Sequence, residues 1–155
     1  HFASAQGKAA AEIIAGHAAQ TNWRAVPAAT FTSPEIASVG VTEAEAKAEG
    51  RTVKVGRFPF RAHGRNIADG ETTGFVKIVG DADSGQILGT SIFGAKASEL
   101  IHEASLAIGA DLDVSAIAQA IHAHPTMMEV LGEAAEDADG LAIHLLRTEA
   151  KVGAK

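Results

Sequence analysis

The stretch Gly74-Phe-Val-Lys-Ile-Val-Gly-Asp-Ala-Asp-Ser-Gly-Gln-Ile-Leu-Gly-Thr-Ser-Ile-Phe93 contains two apolar runs, Phe75–Val79 and Gln86–Phe93. The residues between them include Asp81, Asp83, Ser84 and Gly85, which are types favoured in tight turns. Apolar runs rich in β-branched and aromatic residues on both sides of such a turn predict an antiparallel hairpin.

Shorter elements are predicted before this hairpin. A capping-box pattern, Thr42-x-x-Glu45, predicts a short helix that stops at Gly50. The sequence further predicts a helix over 2–15 with Gly16 as its C-cap, strands over 27–31, 36–41 and 52–60, a turn at Ser33-Pro34, and a polar loop over 61–73. Pro59 predicts that the last of these strands lies at an edge of the sheet or ends there.

Helical patterns follow the hairpin. Leu100, Ile101, Ala104, Ser105 and Ile108 predict one face of a helix that ends near Gly109. A second helix is predicted from the N-cap Asp113 to Pro125, with Val114, Ile117, Ala118 and Ile121 on its apolar face, and a third from Thr126 to about Ala138.

The order of these elements is helix, strands with one short helix, hairpin, and then helices. Strands grouped together and helices grouped together predict the α+β class, with a mainly antiparallel sheet covered by helices on one side. The chain has no G-x-G-x-x-G fingerprint after a strand, so no dinucleotide-binding loop is predicted within these residues.

Composition excludes several classes of function. The formal charge of −6 argues against nucleic acid as a partner, because phosphate binding needs a basic surface. The apolar runs are too short to span a membrane, and no signal peptide opens the chain, so a cytoplasmic location is expected. The chain has no cysteine and therefore carries no disulfide or thiol chemistry of its own. Because it begins at His1 without methionine, we expect a piece of a longer protein.

Reactive side chains are concentrated in His122-Ala-His-Pro-Thr-Met-Met-Glu129. His124 is predicted at a helix end before Pro125, and Glu129 in the first turn of the next helix. A carboxylate within reach of an imidazole fixes the tautomer of the ring and raises its basicity, as in proton-transfer sites. His124 and Glu129 are therefore the candidate catalytic residues.

Other interpretations of these residues exist. Thr126-x-x-Glu129 is itself a capping box, so Glu129 could serve only a backbone donor. His122, His124 and Glu129 could bind a metal, but no other cluster supplies further ligands, so no metal is expected. His102, beside Glu103, is expected on a solvated face.

The string 122–126 with Glu129 resembles the active-site signature of the FAD-dependent pyridine nucleotide–disulfide oxidoreductases. Its Ala-His-Pro-Thr form is most similar to the dihydrolipoamide dehydrogenases. The resemblance extends over most of the chain, through Phe31-Thr-Ser-Pro-Glu-Ile-Ala-Ser-Val-Gly40 and the Thr-Glu-x-Glu-Ala helix, Gly74-Phe-Val-Lys77, Ile87-Leu-Gly89 and the helix over 97–108.

The resemblance implies a mechanism shared between two subunits of a homodimer. In the family, a cysteine pair exchanges with dihydrolipoamide, and electrons pass through FAD to NAD. The partner subunit supplies a histidine as acid–base catalyst and a glutamate that orients it, roles that fall on His124 and Glu129. His1 matches a residue near the flavin and is carried over as a former FAD neighbour.

These implications define the expected organisation of the chain. Residues 1–22 are expected to be a terminal helix left over from the FAD-binding domain, and residues 23–155 to be the dimerisation domain. The fragment is expected to be inactive alone and to bind no cofactor tightly, because both redox cysteines and both cofactor fingerprints are missing. The parent enzyme would serve a 2-oxo acid dehydrogenase complex.

Two alternatives remain open. The chain could be a standalone dimerisation or binding module without redox chemistry, since the cysteines and fingerprints are absent. It could also come from a glutathione reductase-like enzyme, since such proteins share His-Pro-Thr with a nearby glutamate, and Met127-Met128 departs from the more usual residues.

Overall fold

Five antiparallel strands form the centre of the fold, in the order β1-β2-β5-β4-β3. The structure is a computed structural model that describes residues 1–21 and 23–146. The predicted α+β class with an antiparallel sheet is confirmed. The strands are β1 (Ala28–Thr30), β2 (Glu35–Gly40), β3 (Val53–Pro59), β4 (Gly74–Asp81) and β5 (Ile87–Gly94).

The predicted hairpin is β4 and β5, at the middle of the sheet. Val76 pairs with Ile92, and both side chains are buried. In the connecting turn, the Asp81 carboxylate accepts hydrogen bonds from Ser84 N (2.9 Å) and Ser84 Oγ (3.0 Å), which hold the pKa of Asp81 below its ordinary value. Gly85 has a φ of 78°, a conformation that glycine adopts without steric cost.

In the described residues, six α-helices and one 3-10 turn accompany the sheet. Helices α4, α5 and α6 contribute to the core cluster on one face, with α4 in contact with β2 and β5, and α6 with β3 and β4. The helices are α1 (Phe2–Ile14), α2 (Glu43–Ala48), α3 (Gly64–Asp69), α4 (Ala97–Gly109), α5 (Val114–Ala118) and α6 (Glu129–Ala138), and the 3-10 turn is Phe60–Ala62.

Helix α2 lies on the opposite face of the sheet from these helices. Its predicted capping box is confirmed, because Glu45 N donates to Thr42 Oγ1 (3.2 Å) and Thr42 N donates to Glu45 Oε2 (2.7 Å). Glu43 accepts from Lys77 Nζ of β4 at 2.6 Å, and Lys77 alternates with the buried Val76, so it points away from the core. Hydrogen bonds from Lys47 and Lys77 lower the pKa of Glu43 to about 2. Helices α4, α5 and α6 thus cover one side of the sheet as predicted, and the short helix α2 lies on the other.

The prediction of a polar loop over 61–73 was wrong. This segment contains the end of the 3-10 turn and helix α3, and Gly70, with a φ of 75°, ends that helix. Polar side chains rather than an apolar stripe stabilise α3: Arg65 pairs with Asp69 at 2.7 Å, and the buried Asn66 donates to the carbonyl of Glu71 at 3.1 Å. Helical periodicity of apolar residues, on which the prediction relied, does not detect such a helix.

The two helices predicted around Pro125 are shorter than expected. Asp113 caps α5 as predicted, accepting from Ala116 N at 2.9 Å, but α5 ends at Ala118 and not near Pro125. Helix α6 begins at Glu129 and not at Thr126. Ile121 follows the apolar period of α5, yet its side chain is fully exposed, so the periodicity does not correspond to a buried face. Residues 119–128 form an irregular segment, the His124 loop.

Helix α1 corresponds to the helix predicted over 2–15. It has no buried residue, and its aromatic contact with the rest of the chain is an edge-to-face pair between Phe2 and Trp23, with ring centroids 5.3 Å apart. The proposed division of the chain into residues 1–22 and 23–155 stays a prediction. Residues 22 and 147–155 of these two parts lie outside the described residues. No helix in the described residues is long and apolar enough to cross a membrane.

The close approach of α6 to β3 gives a testable prediction. A methyl group at Gly56 of β3 would overlap the carbonyl oxygen of Ala134 and lie 2.6 Å from Ala138 N. Because both obstacles are backbone, Gly56→Ala should lower the free energy of unfolding by about 2–4 kcal/mol in urea titrations. The control Gly64→Ala adds a methyl into open space and should change it by less than about 1 kcal/mol. Equal effects of the two variants would contradict the packing.

Candidate acid–base site in the His124 loop

One hydrogen bond within the His124 loop and one from helix α3 hold the loop in place. Thr126 Oγ1 donates to the carbonyl of Ala123 at 2.6 Å, and Arg65 Nη1 of α3 donates to the carbonyl of Pro125 at 3.2 Å. The His124–Pro125 peptide bond is cis. Met127 is buried in the core cluster. The loop therefore has an anchored base, from which His124 projects.

The structure brings the two predicted site residues together. His124 Nδ1 lies 3.0 Å from Glu129 Oε2. The His124 side chain is 80% exposed, whereas that of Glu129 is only 21% exposed. A fixed, mostly covered carboxylate thus holds a ring that is open to solvent. The catalytic roles assigned to these two residues stay predictions.

The capping interpretation of Glu129 holds in part. Glu129 Oε1 accepts from the backbone N–H of Thr126 at 2.6 Å. Thr126 is not the N-cap of α6: its hydroxyl donates to the carbonyl of Ala123, and the N-cap position is Met128, which makes no side-chain capping bond. Glu129 is also the first residue of α6, where the helix dipole favours a negative charge. The carboxylate therefore serves a backbone donor with one oxygen and His124 with the other.

The environment of Glu129 favours its ionised form. Burial alone would raise the pKa of Glu129, but hydrogen bonds from Thr126 N, His124 and His63 outweigh it and hold the pKa below its ordinary value. An ionised carboxylate can only accept hydrogen bonds. His124 Nδ1 must therefore carry the proton of the bond, which leaves Nε2 as the basic nitrogen of the neutral ring. Within residues 1–21 and 23–146, Nε2 has no hydrogen-bond partner.

His63 is a site residue that the sequence did not predict. It is buried, its Nε2 lies 3.4 Å from Glu129 Oε2, and its Nδ1 lies 2.7 Å from Asn66 Oδ1. The only sequence signal is the spacing His63-x-x-Asn66 directly after a strand. That spacing predicts a local contact and says nothing about Glu129.

His122 stabilises the loop from the side of α4. Its Nε2 lies 3.0 Å from Glu103 Oε1, and its ring packs over Gly132 of α6, where a Cβ would come within 3.1 Å of Nδ1. Glu103 was expected on a solvated face with His102. His102 is exposed as expected, but Glu103 is half-buried and bound to His122.

A further histidine–carboxylate pair joins His144 Nδ1 to Glu133 Oε1 on α6. One turn along, burial and the charge of Glu133 raise the pKa of Glu136. In spite of this density of histidines and carboxylates, no group of three or more in the described part of the chain is arranged to hold a metal ion.

His1 lies apart from this site. It borders an open pocket of about 790 Å³ beside α4, together with Phe2, Trp23, Phe31 and His102. The pocket contains no loop of the dinucleotide-binding type, and the antiparallel strands provide no parallel crossover to build one. The described residues therefore do not fit FAD or NAD by themselves. The role of His1 as a former FAD neighbour stays a prediction.

The sequence and the fold of this chain are similar to those of known proteins. The sequence pattern of the family "Pyridine nucleotide-disulphide oxidoreductase, dimerisation domain" matches residues 26–135. Dihydrolipoyl dehydrogenase of Halobacterium salinarum is 49% identical over 146 residues, which are 94% of this chain and 31% of that protein. The enzyme of the same name from Bacillus subtilis is 47% identical over 147 residues, 95% of this chain and 31% of that protein. The chain thus spans about a third of the length of these relatives.

Solved structures show the same relation. LpdA from Mycobacterium tuberculosis superposes with a TM-score of 0.79 at 30% identity, over 85% of this chain and 29% of that one. The flavoprotein disulfide reductase RclA from Escherichia coli superposes with a TM-score of 0.77 at 25% identity, over 83% of this chain and 30% of that one. Sequence pattern, relatives and fold therefore agree, and the chain belongs to the dimerisation-domain family of the pyridine nucleotide-disulphide oxidoreductases.

Proposed function

We propose that this chain is the dimerisation part of a dihydrolipoamide dehydrogenase, in which His124 is the acid–base catalyst and Glu129 orients it. The observation that carries the proposal is the contact of 3.0 Å between His124 Nδ1 and Glu129 Oε2, with Nε2 of His124 left open to solvent. The names of the relatives, which are dihydrolipoyl dehydrogenases, support the choice of substrate.

The proposed chemistry is the transfer of a proton to and from a thiol of dihydrolipoamide. The nucleophile in thiol–disulfide exchange is the thiolate, and a free thiol near neutral pH is mostly protonated. His124 Nε2 would take the thiol proton, and the ionised Glu129 would stabilise the imidazolium that forms. The exposure of the His124 ring suits a base that acts on a substrate held by another part of the protein.

The remaining parts of the proposed site must come from outside this chain. It has no cysteine, and its described residues do not build a dinucleotide fold. FAD and NAD would carry the electrons when bound elsewhere in the parent enzyme. On this proposal the chain alone is inactive and binds neither cofactor tightly.

The family description supports a homodimer, and we propose that the face around the His124 loop takes part in it. Ile121, in the loop, is fully exposed, and so to a large extent are Leu106 on α4 and Leu141 and Ile143 after α6. Apolar side chains exposed together on neighbouring segments indicate a surface that another protein covers. Coverage by a second copy would place His124 beside the partner subunit.

The wider setting is proposed from the family resemblance and the composition of the chain. We propose that residues 1–22 are the terminal helix of the FAD-binding domain and residues 23–155 the dimerisation domain. We also propose that the parent enzyme is cytoplasmic and serves a 2-oxo acid dehydrogenase complex, without nucleic acid or membrane as a partner.

His124→Gln in the full-length enzyme tests the catalytic assignment. Glutamine can hydrogen-bond to Glu129 but cannot accept the thiol proton, so kcat for dihydrolipoamide oxidation should fall by about 10²–10⁴-fold, with FAD content unchanged. The control His17→Gln alters another histidine–glutamate pair, on the surface after α1, and should leave kcat unchanged. Near-normal turnover of His124→Gln would overturn the assignment and favour a module without redox chemistry.

The pH dependence of stability tests the charge state of Glu129. A pKa that is lower in the folded chain stabilises the fold above the unfolded carboxyl value of about 4.3, and that stabilisation disappears as the pH falls through the folded value. Glu129→Gln should therefore be less stable than the parent chain by about 1–2 kcal/mol at pH 7. The gap should begin to narrow below the unfolded carboxyl value of about 4.3 and should close once the pH has passed the lower folded value.

Urea unfolding at pH 7, 5 and 3 measures this gap. Glu71→Gln, which removes one exposed charge, controls for the change in net charge. A gap between parent and Glu129→Gln that stays constant from pH 7 to pH 3 would contradict the proposed ionisation.

Self-association tests the proposed interface. Sedimentation of the 155-residue chain should show a species of twice the chain mass. Ile121→Asp would bury a charge at the interface and should weaken the dimer by at least about tenfold in Kd. The matched control is Ile14→Asp at the exposed end of α1, which should leave the Kd of the dimer unchanged. A chain that stays monomeric at high concentration would exclude the homodimer.

A further inference from the structure

A buried histidine lies behind the proposed catalytic pair. His63 is only 6% exposed and directly precedes α3, while Glu129 begins α6, so the two residues are 66 positions apart in sequence. A buried polar ring needs hydrogen-bond partners, since its desolvation otherwise destabilises the fold. Both ring nitrogens of His63 have a partner, and the directions of the two bonds can be worked out.

Asn66 determines the direction of the first bond. Its Nδ2 donates to the backbone carbonyl of Glu71 at 3.1 Å, which orients the side-chain amide. The oxygen Oδ1 therefore faces His63 Nδ1, at 2.7 Å. An amide oxygen only accepts hydrogen bonds, so His63 Nδ1 must carry a proton.

The second bond follows from the first. His63 Nε2 faces Glu129 Oε2 at 3.4 Å, longer than an ordinary N–H···O bond. An ionised carboxylate cannot donate, and a bare Nε2 would place one lone pair against another. Any hydrogen bond across this contact therefore runs from Nε2 to Glu129 Oε2.

Glu129 Oε2 thus lies between two histidines, His63 on the buried side and His124 on the exposed side. The other groups near His63 do not compete for this oxygen. Arg65 of α3 binds Asp69 and the loop carbonyl of Pro125, and the ring of Phe58 in β3 packs edge-on at 6.3 Å between centroids. Thr126 N occupies the other carboxylate oxygen.

We infer that His63 is a positioning residue for the proposed acid–base pair: its Nε2 donates to Glu129 Oε2 and holds the carboxylate in the orientation that faces His124. The consequence for turnover rests on the proposed function, but the hydrogen bond does not. Without His63, Glu129 keeps Thr126 N on one oxygen, and the oxygen that serves His124 loses its buried partner. The His124 ring would then be less well oriented, while the exposed surface that meets the substrate is unchanged.

The hydrogen-bond pattern can be tested on the 155-residue chain by NMR of ¹⁵N-labelled histidine rings. The Nδ1 proton of His63, held by Asn66, should exchange slowly. Glu129→Gln should shift the Nε2 signal of His63 and leave the signals of the exposed His102 unmoved. No response of the His63 ring to Glu129→Gln would overturn the inference whatever the activity of the parent enzyme.

Two substitutions test the functional consequence in the full-length enzyme. In His63→Gln, the side-chain amide nitrogen takes the position of Nε2 and can donate to Glu129, but the bond to Asn66 is lost. In His63→Asn, the side-chain amide nitrogen takes the position of Nδ1 and can donate to Asn66, but it does not reach Glu129. We expect His63→Asn to lower kcat by about tenfold with KM unchanged, because the pair is misoriented. His63→Gln should restore most of the kcat.

The outcomes separate this inference from the proposed function. Equal losses of kcat in the two variants, in step with their thermal stability, would make His63 a packing residue and overturn the inference. Full activity of His63→Asn, in a background where His124→Gln is inactive, would also overturn the inference. Normal activity of His124→Gln would instead remove the proposed function, and the ring NMR would still decide whether His63 binds Glu129.

Discussion

The direct contact of α6 with the backbone of β3 is the constraint on which the candidate site depends. Gly56 has no side chain, so the helix lies against the strand at the carbonyl of Ala134. Two bonds reinforce the same pairing: Arg57 N donates to Asp137 at 2.9 Å, and Lys54 Nζ donates to Asp139 at 2.7 Å. Because α6 is held along its second half, its first residue, Glu129, has a fixed position relative to the sheet. The residues that contact Glu129 are arranged around that position.

The site combines a rigid acceptor with an accessible base. Glu129 begins a helix that is packed into the core, whereas His124 projects from an irregular loop with 80% of its side chain exposed. The buried carboxylate therefore orients the ring, and the ring itself is open to solvent. His122 contributes to the same arrangement, because it joins α4 to the loop through Glu103 while its ring lies over Gly132.

Charge and apolar surface are distributed unevenly around the loop. In the described part of the chain, four histidine–carboxylate contacts lie around the first half of α6, two at Glu129 and one each at Glu103 and Glu133. Large apolar side chains such as Ile121 are exposed beside them. The polar groups here are already paired with one another, and the apolar side chains beside them are exposed to water. Such a surface favours contact with a second protein. The outer face of the sheet differs, because α2 covers part of it through the contact of Glu43 with Lys77.

Interactions between residues close in sequence could be predicted. The β4–β5 hairpin, the Thr42 capping box and the Asp113 cap depend on residues a few positions apart, as does the contact of His124 with Glu129, five positions on. Helix α3 was missed because polar side-chain bonds stabilise it, and α5 was predicted too long because Ile121 continues an apolar period without being buried. The contact of His63 with Glu129 was beyond local reasoning altogether. It exists because β3 is the edge strand beneath α6, so the residues that follow β3 are brought to the start of a helix 66 positions later. The sequence by itself thus determined the hairpin, the two caps and the catalytic candidates, whose signals are local. Only the packing of α6 on the sheet decided which buried side chain contacts those candidates.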